Sequence, residues 1–351
     1  MAEVLELNDF LKQAKSLPVI DVRSPSEFKK GHIPGAFNIP LLNDEVRVKV
    51  GTAYKKQGHH EAVKLAFELC GSDFHKMIKE AESICKGREK NILVHCWRGG
   101  LRSNTMAWML GLSGFRVHIL KGGYKTFRRW ALSQFDIPKK VVILGGRTGS
   151  GKTEILSILA AKGEQVIDLE NFANHKGSAF GSLGQEAQPS NEHFENQLAM
   201  KCSSMDPERL IWVENESRQV GSNIVPVALY ERMRKAATLQ LNVPRADRMQ
   251  RILNEYGQFP AEVLVEKTLL LSKRLGIQKV NEAVALLRED NIAMWLEIVL
   301  DYYDKHYDYG MTQRSGVSVF LIPAPNGNAE ENANILLEFV KHHGESIVSK
   351  I

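Results

Sequence analysis

The sequence predicts two α/β domains in tandem, each a parallel sheet with flanking helices, and three observations predict it. Short apolar runs alternate with helical patterns along the chain, the order that parallel sheets with crossover helices produce. Two of those runs lead straight into a glycine-containing loop and then a helix, in LVHCWRGGLRS around Cys96 and VVILGGRTGSGKT around Lys152. The length, 351 residues, exceeds what one small core organises.

In the first module PVIDVR (from Pro18), NILVH (from Asn91) and FRVHIL (from Phe115) are short apolar runs of buried-strand type. Between the first two, Phe74, Met77, Ile78, Ala81, Ile84 and Cys85 recur at helical spacing. That places Cys85 on an apolar face as a packing residue, and Cys70, at the end of AVKLAFELC, reads the same way. Gly122, Gly123 and Pro138 break the pattern, and the boundary falls near Phe135. The modules are therefore residues 1–135 and 136–351. In the second, strand KVVILGG is followed by a helix from Lys152 to about Ala161 and by the strands EQVIDL and LIWV. A mostly helical region covers about 244–310, before a last strand, VSVFLIP, and a last helix, NAEENANILLEFVKH.

The composition is that of an ordinary globular protein, with 43% hydrophobic and 25% charged residues. The acidic, polar opening MAEVLELNDF predicts no signal peptide, and no apolar run predicts a membrane span. Four scattered cysteines argue against a disulfide framework or a zinc site and for a reducing cytoplasm. The net charge of +5 permits a polyanion partner such as RNA without requiring one.

Cys96 stands at the C-terminal end of a strand, where α/β proteins place ligand sites. Gly99 and Gly100 let the loop curl so that its N–H groups point inward, and Ser103 is placed to cap the following helix. A ring of amides at a helix N-terminus holds an anion and favours the thiolate. Arg98 and Arg102 add positive charge on either side. A cysteine that merely packs needs neither the glycines nor the arginines.

The second loop fits G-x4-G-K-T: Gly146, Arg147, Thr148, Gly149, Ser150, Gly151, Lys152 and Thr153, directly after an apolar strand and before a helix. Its glycines let backbone amides wrap the oxygens of a phosphate or diphosphate. Lys152 reaches the terminal phosphate, and the Thr153 hydroxyl is suited to Mg²⁺, although no metal is required by the sequence. An acid ending a neighbouring strand completes such sites, and Asp168 and Glu214 both qualify.

PVIDVRSPSEFKKGHIPGAFNIP resembles the opening of a rhodanese domain through Asp21, Arg23, Glu27 and the run from Gly31 to Gly35; LVHCWRGGLRS resembles its active loop and LKGGY its late turn. The resemblance implies a loop cysteine that carries sulfur or selenium. The C-x5-R spacing from Cys96 to Arg102 departs from the sulfurtransferase loop by one residue and equals that of dual-specificity phosphatases. Three readings of Cys96 stay open: phosphatase nucleophile, chalcogen carrier, or carrier supplied by a phosphate-like donor.

The rhodanese-like parallel sheet followed by a P-loop NTPase-like domain with a helical C-terminal portion resembles, over essentially the whole chain, the bacterial tRNA 2-selenouridine synthase family. HCWRGGLRS, GGRTGSGKTE, VIDLENFANHKGSAFG, WVENESRQVGSNIVP and LDYYDKHY carry that likeness. It implies a transferase acting on tRNA with 2-thiouridine at the wobble position. Selenium from selenophosphate replaces the sulfur through an S-geranyl intermediate made from geranyl diphosphate. Basic runs at Lys121 to Arg129 and Arg232 to Lys235 are candidate RNA contacts, with Tyr124 and Phe127 either base-stacking or core. The rival enzyme is a small-molecule kinase fused to a regulatory rhodanese domain; a phosphatase and a docking platform are further alternatives.

Overall fold

The computed structural model describes residues 2–136, 138–312 and 316–348. The chain divides into two compact units, Met1–Gln134 with Ser190–Met200, and Phe135–Pro189 with Lys201–Ile351. The segment Ser190–Met200 thus crosses the sequence boundary expected near residue 135. Ser190–Met200 groups with the first unit because its polar side chains, Glu192 and Asn196 above all, hydrogen-bond there. Periodicity along one stretch of chain carries no signal of that kind of distant pairing.

The first unit holds β1 (Glu3–Leu5), α1 (Leu7–Gln13), β2 (Val19–Asp21), α2 (Pro25–Lys30), β3 (Phe37–Asn38), α3 (Asp44–Gln57), α4 (His59–Cys70), α5 (Phe74–Ile84), β4 (Asn91–His95), α6 (Leu101–Leu112), β5 (Arg116–Leu120) and α7 (Gly123–Ser133). Its sheet runs β1-β5-β4-β2-β3, parallel throughout. Ile92, Leu93 and Val94 of β4 are fully buried, as expected for a strand covered on both faces. After β3 the chain returns to lay β4 on the other side of β2, so the C-terminal ends of β2 and β4 frame a topological switch point. Asp21 closes one of those strands and Cys96 follows the other. Cys70 and Cys85 lie in the apolar core beneath.

The second unit contains β6 (Val141–Gly146), α8 (Lys152–Ala161), β7 (Gln165–Ile167), α9 (Leu169–Ala173), the final residues of α10 (Asn191–Ser203), β8 (Ile211–Glu214), the hairpin strands β9 (Gln219–Val220) and β10 (Asn223–Ile224), α11 (Val227–Lys235) and β11 (Ala237–Asn242). A helical stretch follows: α12 (Arg245–Tyr256), α13 (Ala261–Leu269), α14 (Ser272–Leu275), α15 (Ile277–Arg288) and α16 (Ile292–Thr312), before β12 (Val319–Pro323) and α17 (Ala329–Val348). The sheet order is β12-β11-β6-β8-β7, again parallel. β6 is the central strand and its six residues are all buried. One core lies around this sheet and a second, built on Leu264, Val280, Trp295 and Leu300, joins the helices. The α/β architecture expected from the sequence is present in both units. Among the described residues, no helix is long and apolar enough to cross a membrane.

Candidate active sites

Between His95 and Leu101 the chain turns from β4 into α6, and Cys96 lies at the base of that turn, 3% exposed. Its Sγ is 3.4 Å from Ser103 Oγ, which donates to the Gly100 carbonyl at 2.9 Å. Ser103 is therefore no helix cap: α6 begins at Leu101 after Gly100, and the serine falls inside the first turn facing the thiol. Burial raises the thiol pKa, but the Ser103 hydroxyl, the N–H groups of Arg98 and Ser103 and the Arg102 charge outweigh it and hold Cys96 below its ordinary value. The site favours a thiolate.

The loop is held from behind by the first turn of α7. Tyr124 N–H donates to the Cys96 carbonyl at 2.8 Å and Lys125 N–H to that of Trp97 at 3.0 Å. Drawing those carbonyls outward leaves loop amides for the thiol. So close an approach needs glycine at 123, where φ is +60° and a Cβ would stand 2.4 Å from the Cys96 oxygen. Gly123→Ala is expected to cost at least ~2 kcal/mol. Urea unfolding of the full chain followed by tryptophan fluorescence checks this, and an unchanged midpoint would contradict it.

Arg98 is exposed beside the loop. Arg102 is half-buried and bonds Glu27 at 2.6 Å, the carboxylate that also pairs with Arg47 at 2.9 Å and accepts from Ser24 N at 3.2 Å. Below, Asp21 and Arg23 form a buried ion pair at 2.6 Å, and Arg23 donates to the Gly31 carbonyl at 2.7 Å. Its guanidinium lies 3.8 Å from the Tyr124 ring centroid. Asn196 Nδ2 in turn donates to Tyr124 Oη at 2.7 Å and to the His32 carbonyl at 2.9 Å. Tyr124 and Phe127 are fully buried, so of the two readings left open for them the core one holds. Within the basic run nearby, Lys121 pairs with Glu6 and Arg128 with Glu195.

In the second unit, β6 ends at Gly146, α8 starts at Lys152, and Lys152 Nζ donates to the Gly146 carbonyl at 3.0 Å. Side chains from the helical stretch brace the loop. Arg248 bonds the Thr148 carbonyl at 3.0 Å and both oxygens of Asp304 at 2.9 and 2.7 Å; Arg147 bonds Asp308 at 3.0 and 2.8 Å. Tyr307 Oη accepts from Gly146 N–H at 2.8 Å. Asp304 and Tyr307 come from the α16 run LDYYDKHY, and Asp308 directly follows it.

Thr153 Oγ1 donates to Glu170 Oε2 at 3.3 Å, and Glu170 N–H donates to Glu214 Oε1 at 2.6 Å. Glu170, Glu214 and Glu216 bring carboxylate oxygens within 4.8 Å of one another. Burial, reinforced by Glu216 and opposed by Lys152, pushes Glu170 up to about 8. Glu214, completely buried beside the same carboxylates, lies well above its usual value, and its Oε2 has no hydrogen-bond partner. Asp168 belongs beside that cluster: it caps α9 through Asn171 N–H at 2.9 Å, its side chain also interacts with Glu214, and burial raises its pKa. The phosphate loop, Glu170 and Glu216 open onto a cleft of 2070 Å³ whose wall includes Tyr230, Tyr302, Tyr303 and Leu271.

The rhodanese-like domain family matches residues 3–130, and the family described as the tRNA 2-selenouridine synthase AAA domain matches residues 139–338. A tRNA 2-selenouridine synthase of Shewanella woodyi is 34% identical over 337 residues, 86% of this chain and 90% of its own. The chain belongs to the tRNA 2-selenouridine synthase family. Two solved structures are also similar to it. One is the N-terminal domain of a Clostridium difficile 630 protein described as ATP/GTP binding, 34% identical over 37% of this chain and 99% of its own, with a TM-score of 0.35. The other is a rhodanese-related protein of Thermoplasma volcanium, 18% identical over 35% of this chain and 88% of its own, with a TM-score of 0.22.

For this family member, choosing acids at strand ends selected Asp168 and Glu214 and passed over Glu170 and Glu216. Both missed residues lie two residues further on, inside the runs VIDLENFANHKG and WVENESRQ that carry the family likeness. The usable signal was the repeated acid two residues after each strand-end acid.

Proposed function

We propose that the chain replaces the sulfur of wobble 2-thiouridine in tRNA by selenium. The second unit first transfers geranyl from geranyl diphosphate to that sulfur, and the Cys96 loop then directs selenium from selenophosphate. The observation that carries this reading is the pairing of an amide-lined, thiolate-favouring loop with a separate phosphate loop in a member of this family.

In the first step the uridine sulfur attacks the geranyl C1, the C1–O bond breaks, and diphosphate leaves with the electron pair. Amides of residues 146–153 and the Lys152 ammonium are suited to that charge, and the apolar side of the cleft to the chain. In the second step selenium attacks C2 of the pyrimidine, the C2–S bond breaks and geranylthiolate departs; water takes the phosphoryl group. Cys96, with the N–H groups of Arg98 and Ser103, positions the donor, and Arg98 and Arg102 balance its charge.

A divalent cation suits the second unit, because Glu170, Glu214 and Glu216 bring carboxylate oxygens within 4.8 Å of one another and the Thr153 hydroxyl reaches Glu170 at 3.3 Å. Mg²⁺ there would be held by Thr153 and these glutamates and would offset charge on the departing diphosphate.

That arrangement sets a sign for pH. Glu170 has its pKa raised from 4.5 to about 8 on folding, so between those values the folded chain binds the extra proton. Stability must fall as pH rises through that window. Mg²⁺ is expected to raise the melting temperature more at pH 8 than at pH 5, and Glu214→Gln to raise the metal-free value at pH 8 while removing the Mg²⁺ response. A pH-independent Mg²⁺ response would contradict the assignment. The function itself is tested by mass spectrometry of nucleosides from thiolated tRNA given both co-substrates. Selenouridine is expected, and ATP turnover with unchanged tRNA would favour the kinase alternative.

A further inference from the structure

The helical stretch of the second unit brings a second cation to the phosphate loop. α12 packs against two glycines of that loop. A Cβ at Gly149 would stand 2.7 Å from the Arg248 carbonyl oxygen, and one at Gly151 would stand 2.9 Å from Arg251 Cζ. The Arg251 guanidinium therefore rests on the backbone that immediately precedes Lys152.

Arg245, Arg248 and Arg251 recur along α12 at three-residue spacing, and the fold separates their roles. Arg245 pairs with Glu297 and Asp301. Arg248 is buried and bonds the Thr148 carbonyl and Asp304. Arg251 lines the cleft together with Lys152 and Thr153, whereas Arg245 and Arg248 do not. Its present partners hold it lightly. One guanidinium nitrogen meets Glu154, whose side chain is 56% exposed, and the other donates to the Gly327 carbonyl at 2.6 Å. An ion pair open to water contributes little, so a phosphate can displace it. A planar guanidinium matches two phosphate oxygens at once, which a lysine cannot do.

We infer that Arg251 is a catalytic residue of the second unit, binding the diphosphate seated on the phosphate loop and stabilising the charge that builds there as the ester bond breaks. The electron pair of the breaking C–O bond passes to the diphosphate oxygen. Arg251 donates N–H bonds to phosphate oxygens and keeps its protons. Lys152 and Arg251 then hold the leaving group from two elements, α8 and α12. The inference rests on the proposed reading of this loop as a diphosphate site, and it adds a residue that no motif in the sequence marks. A diphosphate could come from geranyl diphosphate or from a nucleotide, and the test separates the two.

The full chain with Mg²⁺ is titrated calorimetrically with inorganic pyrophosphate, geranyl diphosphate and ADP. Geranyl transfer to thiolated tRNA is followed by nucleoside mass spectrometry. Arg251→Gln is expected to weaken binding of pyrophosphate and geranyl diphosphate at least about ten-fold, and to slow transfer at saturating geranyl diphosphate at least about a hundred-fold. Arg251→Lys, which keeps the charge and loses the fork, should fall between. Glu154→Gln breaks the same ion pair from its other side; with Arg251 freed, pyrophosphate binding should hold or tighten. A loss in Glu154→Gln as large as in Arg251→Gln would make the pair a structural latch and overturn the inference. Wild-type affinity or wild-type transfer in Arg251→Gln would overturn it too, leaving the reading beneath it intact. Arg251-dependent binding of pyrophosphate or ADP by a wild type that adds no geranyl would uphold the arginine and overturn that reading instead.

Discussion

Lys152→Ala is expected to lower geranyl transfer to thiolated tRNA by at least about a hundred-fold, the loss typical when a group stabilising developing negative charge is removed. The ammonium does two things at once. It donates to the Gly146 carbonyl, fixing the loop, and it opposes the burial and the Glu216 repulsion that push Glu170 up to about 8. Without it the departing diphosphate loses a cation and the carboxylate cluster loses its compensating charge. Nucleoside mass spectrometry after incubation with geranyl diphosphate checks this. The same variant, supplied with tRNA already geranylated, is expected to selenate it at close to the wild-type rate. Geranylation at the wild-type rate would place diphosphate binding elsewhere.

Cys96→Ser is expected to show the opposite pattern: selenation reduced at least about a hundred-fold, in line with losing the central group of a preorganised site, with geranylated tRNA accumulating. Serine preserves the size of the side chain, but its hydroxyl stays protonated where the thiol is held below its ordinary pKa by Ser103 and the loop amides. Folding should be little affected, because Sγ fills a small buried space and the loop is anchored through backbone bonds from Tyr124 and Lys125. Normal selenation by this variant would make Cys96 a structural residue.

The fold was largely legible because both sheets are buried on two faces. VVILGG and NILVH therefore read as continuous apolar strands, and each is followed by a loop whose glycines mark the turn into a helix. The positions of Cys96 and of residues 146–153 at those turns follow from the same local pattern. What sequence could not reveal depends on distant partners. Asn196 reaches Tyr124 and His32 from far along the chain, and that turned Tyr124 from a candidate stacking residue into a clamp over Arg23. Arg102 reads as a free cation in sequence, whereas Glu27 binds it. Asp168 and Glu170 lie two residues apart, and only the backbone path brings both to Glu214 and Glu216 while the first also caps α9.

The division of labour between the two units is the central claim, and one sequential experiment tests it most directly. Thiolated tRNA is treated with Cys96→Ser protein and geranyl diphosphate, repurified, and then given to Lys152→Ala protein with selenophosphate. Two variants that each fail alone should together yield selenouridine, with the geranyl mass appearing after the first step and disappearing in the second. Geranylated tRNA that the Lys152→Ala protein leaves untouched, or a first step that adds no geranyl, would contradict the account.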